Sequence, residues 1–174
     1  TNQDIGRISD YTKVEVEIST MHVADIAKTR EKIYQMAEGM AMATGCKVHY
    51  KEIPGYLGRT PNAILGDLLK AELTYLKEPL MEGMPADKGG EDLGNVSRVI
   101  PACNLFMTLL PERKISGHTE EFRELANGEA GRRCLKISAI AMARAIVEIL
   151  LEPTIAAKAK AELQQRIADE VAYA

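Results

Sequence analysis

The sequence predicts an α/β fold in two segments, residues 1–55 and 56–174, and three observations carry that prediction. A strand–helix–strand pattern fills the first 53 residues. A Pro- and Gly-punctuated stretch, IPGYLGR, follows it as a linker. A long and almost wholly apolar helix then lies over residues 131–151. With 174 residues, 46% hydrophobic and 27% charged, the chain has the composition of a globular protein able to bury a core without a disulfide or metal staple.

In residues 11–18, YTKVEVEI, Val14, Val16 and Ile18 alternate with Lys13, Glu15 and Glu17. Period two is the mark of a half-buried strand. Over Ala24–Thr44 the apolar residues Ile26, Ile33, Met36, Ala37, Met40 and Ala41 recur at spacings of three, four and seven, so this is an amphipathic helix, and Gly45 is its stop. Residues 46–53, CKVHYKEI, alternate again as a second strand. A strand, a helix and a returning strand make a right-handed parallel crossover. Two strands are too few for a stable sheet, so the unit reads as half of a split β-α-β sandwich.

In the second segment Thr60-Pro61 is expected as N-cap and first helical residue, with Leu65, Leu68, Leu69, Leu73 and Leu76 giving a helix to about residue 77. Residues 80–94 read as loop. Residues 96–100 and 103–109 read as short buried strands split by Pro101. Residues 111–128 read as loop, with His118 near the middle. The helix over 131–151 has so narrow a polar stripe (Lys136, Arg144, Glu148) that it is expected to be buried on several sides, with Ile137, Ala141 and Ile149 against the 103–109 strand. Residues 154–173 read as a more exposed amphipathic helix.

Composition excludes several functions. Lys plus Arg is 22 against 25 for Asp plus Glu, a net charge of −3, so no electrostatic argument favours nucleic acid or an anionic membrane. With 5% aromatics and no Trp, base-stacking platforms are not expected. No apolar run approaches a membrane span, and the first residues show no signal-peptide pattern. The three Cys (Cys46, Cys103, Cys134) lack CxxC spacing and read as reduced, buried thiols in a cytoplasmic setting.

Three His residues enter the catalytic inventory. His22 and His49 read as solvated surface residues. His118 sits in a loop between an apolar run and a buried helix, where α/β folds place ligands, and imidazole is the commonest metal-binding side chain. One His does not make a metal site, because zinc takes three or four protein ligands. Asp92, among the glycines of GGEDLGNVS, reads either as a turn aspartate or helix cap, or as a carboxylate beside a metal cavity that orients a ligand.

GGEDLGNVSRVIP, then GHTEEFRELANGEAG and an Ala-rich helix, resemble the end of the dinuclear metallo-amidohydrolase, aminoacylase and carboxypeptidase G family. The nearest branch is that of aminobenzoyl-glutamate or dipeptide amidohydrolases. ISDYTKVEVEIS is similar to a strand of that family's inserted lid, and MATGCKV and TPNAIL fit the region that follows. The resemblance spans nearly the whole chain and implies a C-terminal portion: residues 1–55 as the second half of a ferredoxin-like lid or dimerisation domain, and residues 56–174 as the α/β end of a metallopeptidase-like catalytic domain. It also implies that two divalent metals, zinc or manganese, serve the complete enzyme, with no tight metal binding by this chain alone. By the same resemblance His118 matches the last metal-ligand histidine and Asp92 a neighbouring carboxylate, while Asn95 and Ser97 fall on the structural tail of the motif.

Departures from the family pattern stand at Gly6, Ser19 and Gly90-Glu91, where an Asn, an Arg and a Ser-Thr pair are usual. The remaining metal ligands and the general-base Glu have no counterpart here. The expected partners are therefore a second copy of the chain or the missing N-terminal half, with a small amide substrate in the complete enzyme. The alternative is a non-catalytic degenerate relative or assembly subunit, which those departures favour.

Overall fold

The computed structural model describes residues 6, 8–20, 22–80 and 91–173. Six helices follow one another among these residues: α1 (Ala24–Thr44), α2 (Ala63–Tyr75), α3 (Asp92–Ser97), α4 (Glu120–Asn127), α5 (Glu129–Leu151) and α6 (Pro153–Tyr173). The helices α2, α5 and α6 pack on one another as a three-helix body, and α4 packs on α5. Their shared core is small: Leu73 from α2, Cys134, Ala141 and Ala145 from α5, Ala159 and Leu163 from α6, and Leu109. Alanines at the contacts let the backbones approach closely.

The helix expected over 24–44 forms with the expected bounds. It stops at Gly45, whose φ of 71° suits a residue without a Cβ and whose N–H closes on the Ala41 carbonyl. The start of α2 differs from expectation by two residues. Asn62, not Thr60, is the N-cap, because its Oδ1 accepts the Leu65 N–H at 3.1 Å while its Nδ2 donates to the Ala159 carbonyl at 2.9 Å. That second bond lies on α6, and no local pattern announces it. Pro153 opens α6 directly after Glu152, where a missing N–H costs nothing.

No strand forms among the described residues, and the segments expected as strands at 11–18, 46–53, 96–100 and 103–109 carry no ladder there. Val96 and Ser97 are helical instead, in a short turn closed by the Ser97 hydroxyl on the Gly94 carbonyl at 2.9 Å. A brief apolar run does not distinguish strand from helix by period alone. In the first segment the alternation is present without a ladder. Tyr50 stacks on Tyr34 of α1 with centroids 4.0 Å apart, Glu52 accepts from Tyr34 at 2.6 Å and from Arg30 at 3.0 Å, and His49 is exposed. Even-numbered residues thus meet α1, but a strand needs a neighbour to exchange hydrogen bonds with. Most of the loop expected over 80–94, including Gly90, lies outside the described residues.

The burial expected of α5 on several sides is also corrected. Ala141 is fully buried, but Ile137 and Ile149 are half-buried. Leu135, Leu150 and Leu151 are 70%, 74% and 79% exposed. Apolar composition marks surface that can be buried, not what covers it. Of the three free thiols, Cys134 is buried, Cys103 half-buried and Cys46 exposed, so the buried reading fails for Cys46.

Candidate functional site

The segment from Glu91 to Arg98 is a fastening point for the linker. A Cβ on Gly94 would stand 1.8 Å from the Leu57 carbonyl oxygen, so the backbone can approach only at glycine. Asn95 Oδ1 then accepts the Leu57 N–H at 2.8 Å, and the buried Ser97 hydroxyl accepts the Thr60 N–H at 2.9 Å. Arg98 donates from Nε to the Gly58 carbonyl at 3.2 Å and forks onto Glu170 at 2.6 and 3.0 Å. Glu91 forms an ion pair with Arg59 at 3.2 Å and accepts from Asn104 Nδ2 at 3.0 Å, and the Arg59 guanidinium also lies over Phe106. Asn95 and Ser97 therefore do structural work. The Arg59, Glu91 and Asn104 group and the Arg98–Glu170 pair were not legible in the sequence, since their members are 13 to 72 residues apart.

Asp92 is exposed in the first turn of α3, and its Oδ1 accepts the Leu93 N–H at 2.9 Å. Negative charge at a helix start is favourable, and Glu91, not Asp92, is the N-cap of α3. His118 is exposed in the turn before α4, with a φ of 61°. Its neighbour Thr119 shapes that turn, accepting the Phe122 N–H at 3.2 Å as N-cap of α4 and donating to the Ser116 carbonyl at 2.9 Å. The helices α3 and α4 do not touch. Neither Asp92 nor His118 belongs to a group of three His, Cys, Asp or Glu side chains able to hold a metal ion, among the described residues. A lone exposed imidazole does not fit a resident metal by itself.

Other reactive groups are quiet. Burial pushes the Cys103 thiol up, with Lys70 pulling the other way, so it stays protonated rather than nucleophilic. The buried acids Glu72 and Glu78 are paired with Arg144 and Arg133. No helix among the described residues is long and apolar enough to cross a membrane.

Against this geometry stands a likeness in sequence to a peptidase. The relative is the Xaa-Arg dipeptidase of Mus musculus, 22% identical over 169 residues, which cover 94% of this chain and 38% of the relative. The chain thus spans less than two-fifths of the length of the curated relative it matches. No family model and no solved structure matches it.

Proposed function

We propose that the chain is the C-terminal portion of a metal-dependent amidohydrolase cleaving the amide bond of a small N-acyl amino acid, an aminobenzoyl-glutamate-like substrate or a dipeptide, and that it is inactive alone. The observation that carries this reading is the asymmetry of the likeness: nearly all of the chain, but 38% of the dipeptidase. The motifs around Asp92 and His118, in the same order as in the amidohydrolases they resemble, support it further. Residues 1–55 are then half a lid and residues 56–174 the end of a catalytic domain. A sheet lacking its middle strand accounts for two alternating segments without a ladder.

Two divalent metals, zinc or manganese, go with this reading for the complete enzyme. There His118 is one ligand among several and Asp92 a nearby carboxylate, while the water-activating chemistry belongs to residues outside this chain. A second copy or an N-terminal half is the partner, and a cytoplasmic setting goes with both. The coding sequence upstream of Thr1 tests the reading. An in-frame His-x-Asp or Cys-x-His segment followed by Glu-Glu or Glu-x-His is the expected finding. A start codon directly before Thr1 would sink it in favour of a non-catalytic relative, the reading that Gly6, Ser19 and Gly90 favour.

A further inference from the structure

We infer that Thr119 is a positioning residue for His118: its one hydroxyl closes the turn that carries the imidazole and, by a separate bond, caps α4. What the positioning serves rests on the reading of His118 as one metal ligand of the complete enzyme. His118 is exposed and holds a left-handed backbone, with a φ of 61°. For an L-residue that conformation crowds Cβ against the following carbonyl oxygen, and it persists only where the surroundings over-determine it. Gly117, beside it, could adopt the same conformation freely. Yet the φ of Gly117 lies outside the left-handed range, and a Cβ added there would meet nothing within 4 Å. The strain thus sits on the residue of the pair whose side chain can ligate a metal.

Two bonds of a single oxygen hold this arrangement. Thr119 Oγ1 donates to the Ser116 carbonyl at 2.9 Å, closing a ring across Gly117 and His118. The same oxygen accepts the Phe122 N–H at 3.2 Å as the N-cap of α4. A hydroxyl has one donor proton and two acceptor lone pairs, so the two bonds do not compete. The first fixes the backbone on either side of His118. The second ties that turn to α4, which packs on α5. A ligand whose backbone is fixed before its metal arrives loses less freedom on binding.

Backbone nitrogen relaxation on the full chain at neutral pH tests this with three substitutions. Thr119→Ser keeps both bonds. Thr119→Asp keeps a good N-cap acceptor but has no proton to give Ser116. Thr119→Val keeps the shape and neither bond. In the parent and in Thr119→Ser the order parameter of His118 is expected to match that of α4, about 0.85. In Thr119→Asp it is expected to fall below about 0.6 at His118, while residues 120–127 stay as in the parent. In Thr119→Val His118 is expected to be as loose. An ordered His118 in either the Asp or the Val variant overturns the inference. So does loss of order in α4 together with His118 in Thr119→Asp, which would make Thr119 a helix cap only, and so does a loose His118 in Thr119→Ser. An upstream coding sequence without metal ligands would remove what the positioning serves and leave these relaxation results unchanged, so the two failures are told apart.

Discussion

Arg133 on α5 places one guanidinium nitrogen 2.7 Å from each carboxylate oxygen of Glu78, just past the end of α2. Its other nitrogen donates to the Thr108 carbonyl at 2.9 Å. The Glu78 side chain is only 7% exposed, so it depends on this partner. Arg133→Met should cost about 2–4 kcal/mol in denaturant unfolding, because a buried carboxylate loses its counter-ion. Arg133→Lys should recover only part of that, since an ammonium cannot reach both Glu78 and Thr108 in the same planar geometry. Equal stability of parent and Arg133→Met would refute the role assigned to this pair.

Gly94 and Gly39 should respond in opposite directions to the same change. At Gly94 a methyl group meets the Leu57 carbonyl, so Gly94→Ala should destabilise by about 3 kcal/mol and loosen residues 57–60. Gly39 lies inside α1 with nothing within 4 Å of its added Cβ, so Gly39→Ala should stabilise by about 0.5–1 kcal/mol. Thermal melts of the two variants beside the parent decide both.

Stability should fall with acid through two carboxylates. Partial burial acts to raise the Glu162 carboxyl, but N–H bonds from Ala63 and Ile64 and the guanidinium of Arg166 outweigh it and hold the group below its ordinary 4.5. Arg98 first, and then the Val23 N–H and His22, hold Glu170 below 4.5 against partial desolvation. A carboxyl lowered in the folded state contributes stability that is complete above its unfolded value and fades as pH falls through the folded one. Urea midpoints should therefore drop below about pH 4.5, and Glu162→Gln should flatten part of that drop. An identical pH profile in that variant would contradict the assignment.

Zinc titration by calorimetry, paired with an assay on acetyl- and aminobenzoyl-amino acids, examines the chain alone. The expected outcome is weak binding, no better than that of a surface histidine, and no turnover. Tight stoichiometric binding abolished by His118→Ala, or clear hydrolysis, would show that the chain is not an incomplete portion.

Self-association is the expected consequence of the exposed stripe of Leu135, Met142, Ile146 and Leu150 on α5. Light scattering at high concentration should show a dimer or larger species, and Leu135→Ser with Leu150→Ser should weaken it without lowering the melting temperature. A clean monomer in the parent would contradict the expectation.

What the sequence made legible was local. The bounds of α1 and its stop at Gly45 and the existence of α2, α5 and α6 all follow from period and turn chemistry within a few residues. What it concealed was long-range. The N-cap at Asn62 is chosen by a carbonyl on α6, and Ser97 turns an apolar run into a helix by bonding both Gly94 and Thr60. The site residues show the same division. The text around Asp92 and His118 carries the resemblance, yet the fold leaves both exposed, Asp92 accepting from the adjacent Leu93 N–H and His118 standing in the turn that Thr119 shapes.

The first turn of α2 is finished by atoms that come much later in the chain. Asn62 meets Ala159, and Ala63 and Ile64 donate to Glu162 at 2.8 and 3.0 Å, across 97 to 99 positions. A ribosome therefore releases α2 long before its acceptors exist, and the helix emerges with its leading N–H groups bare. Closing so distant a contact is slow relative to forming a local one. The molecule thus completes its three-helix body when α6 arrives, and a nascent chain stalled before residue 159 leaves the faces of α2 and α5 that meet α6 open to whatever chaperone or protease is nearby.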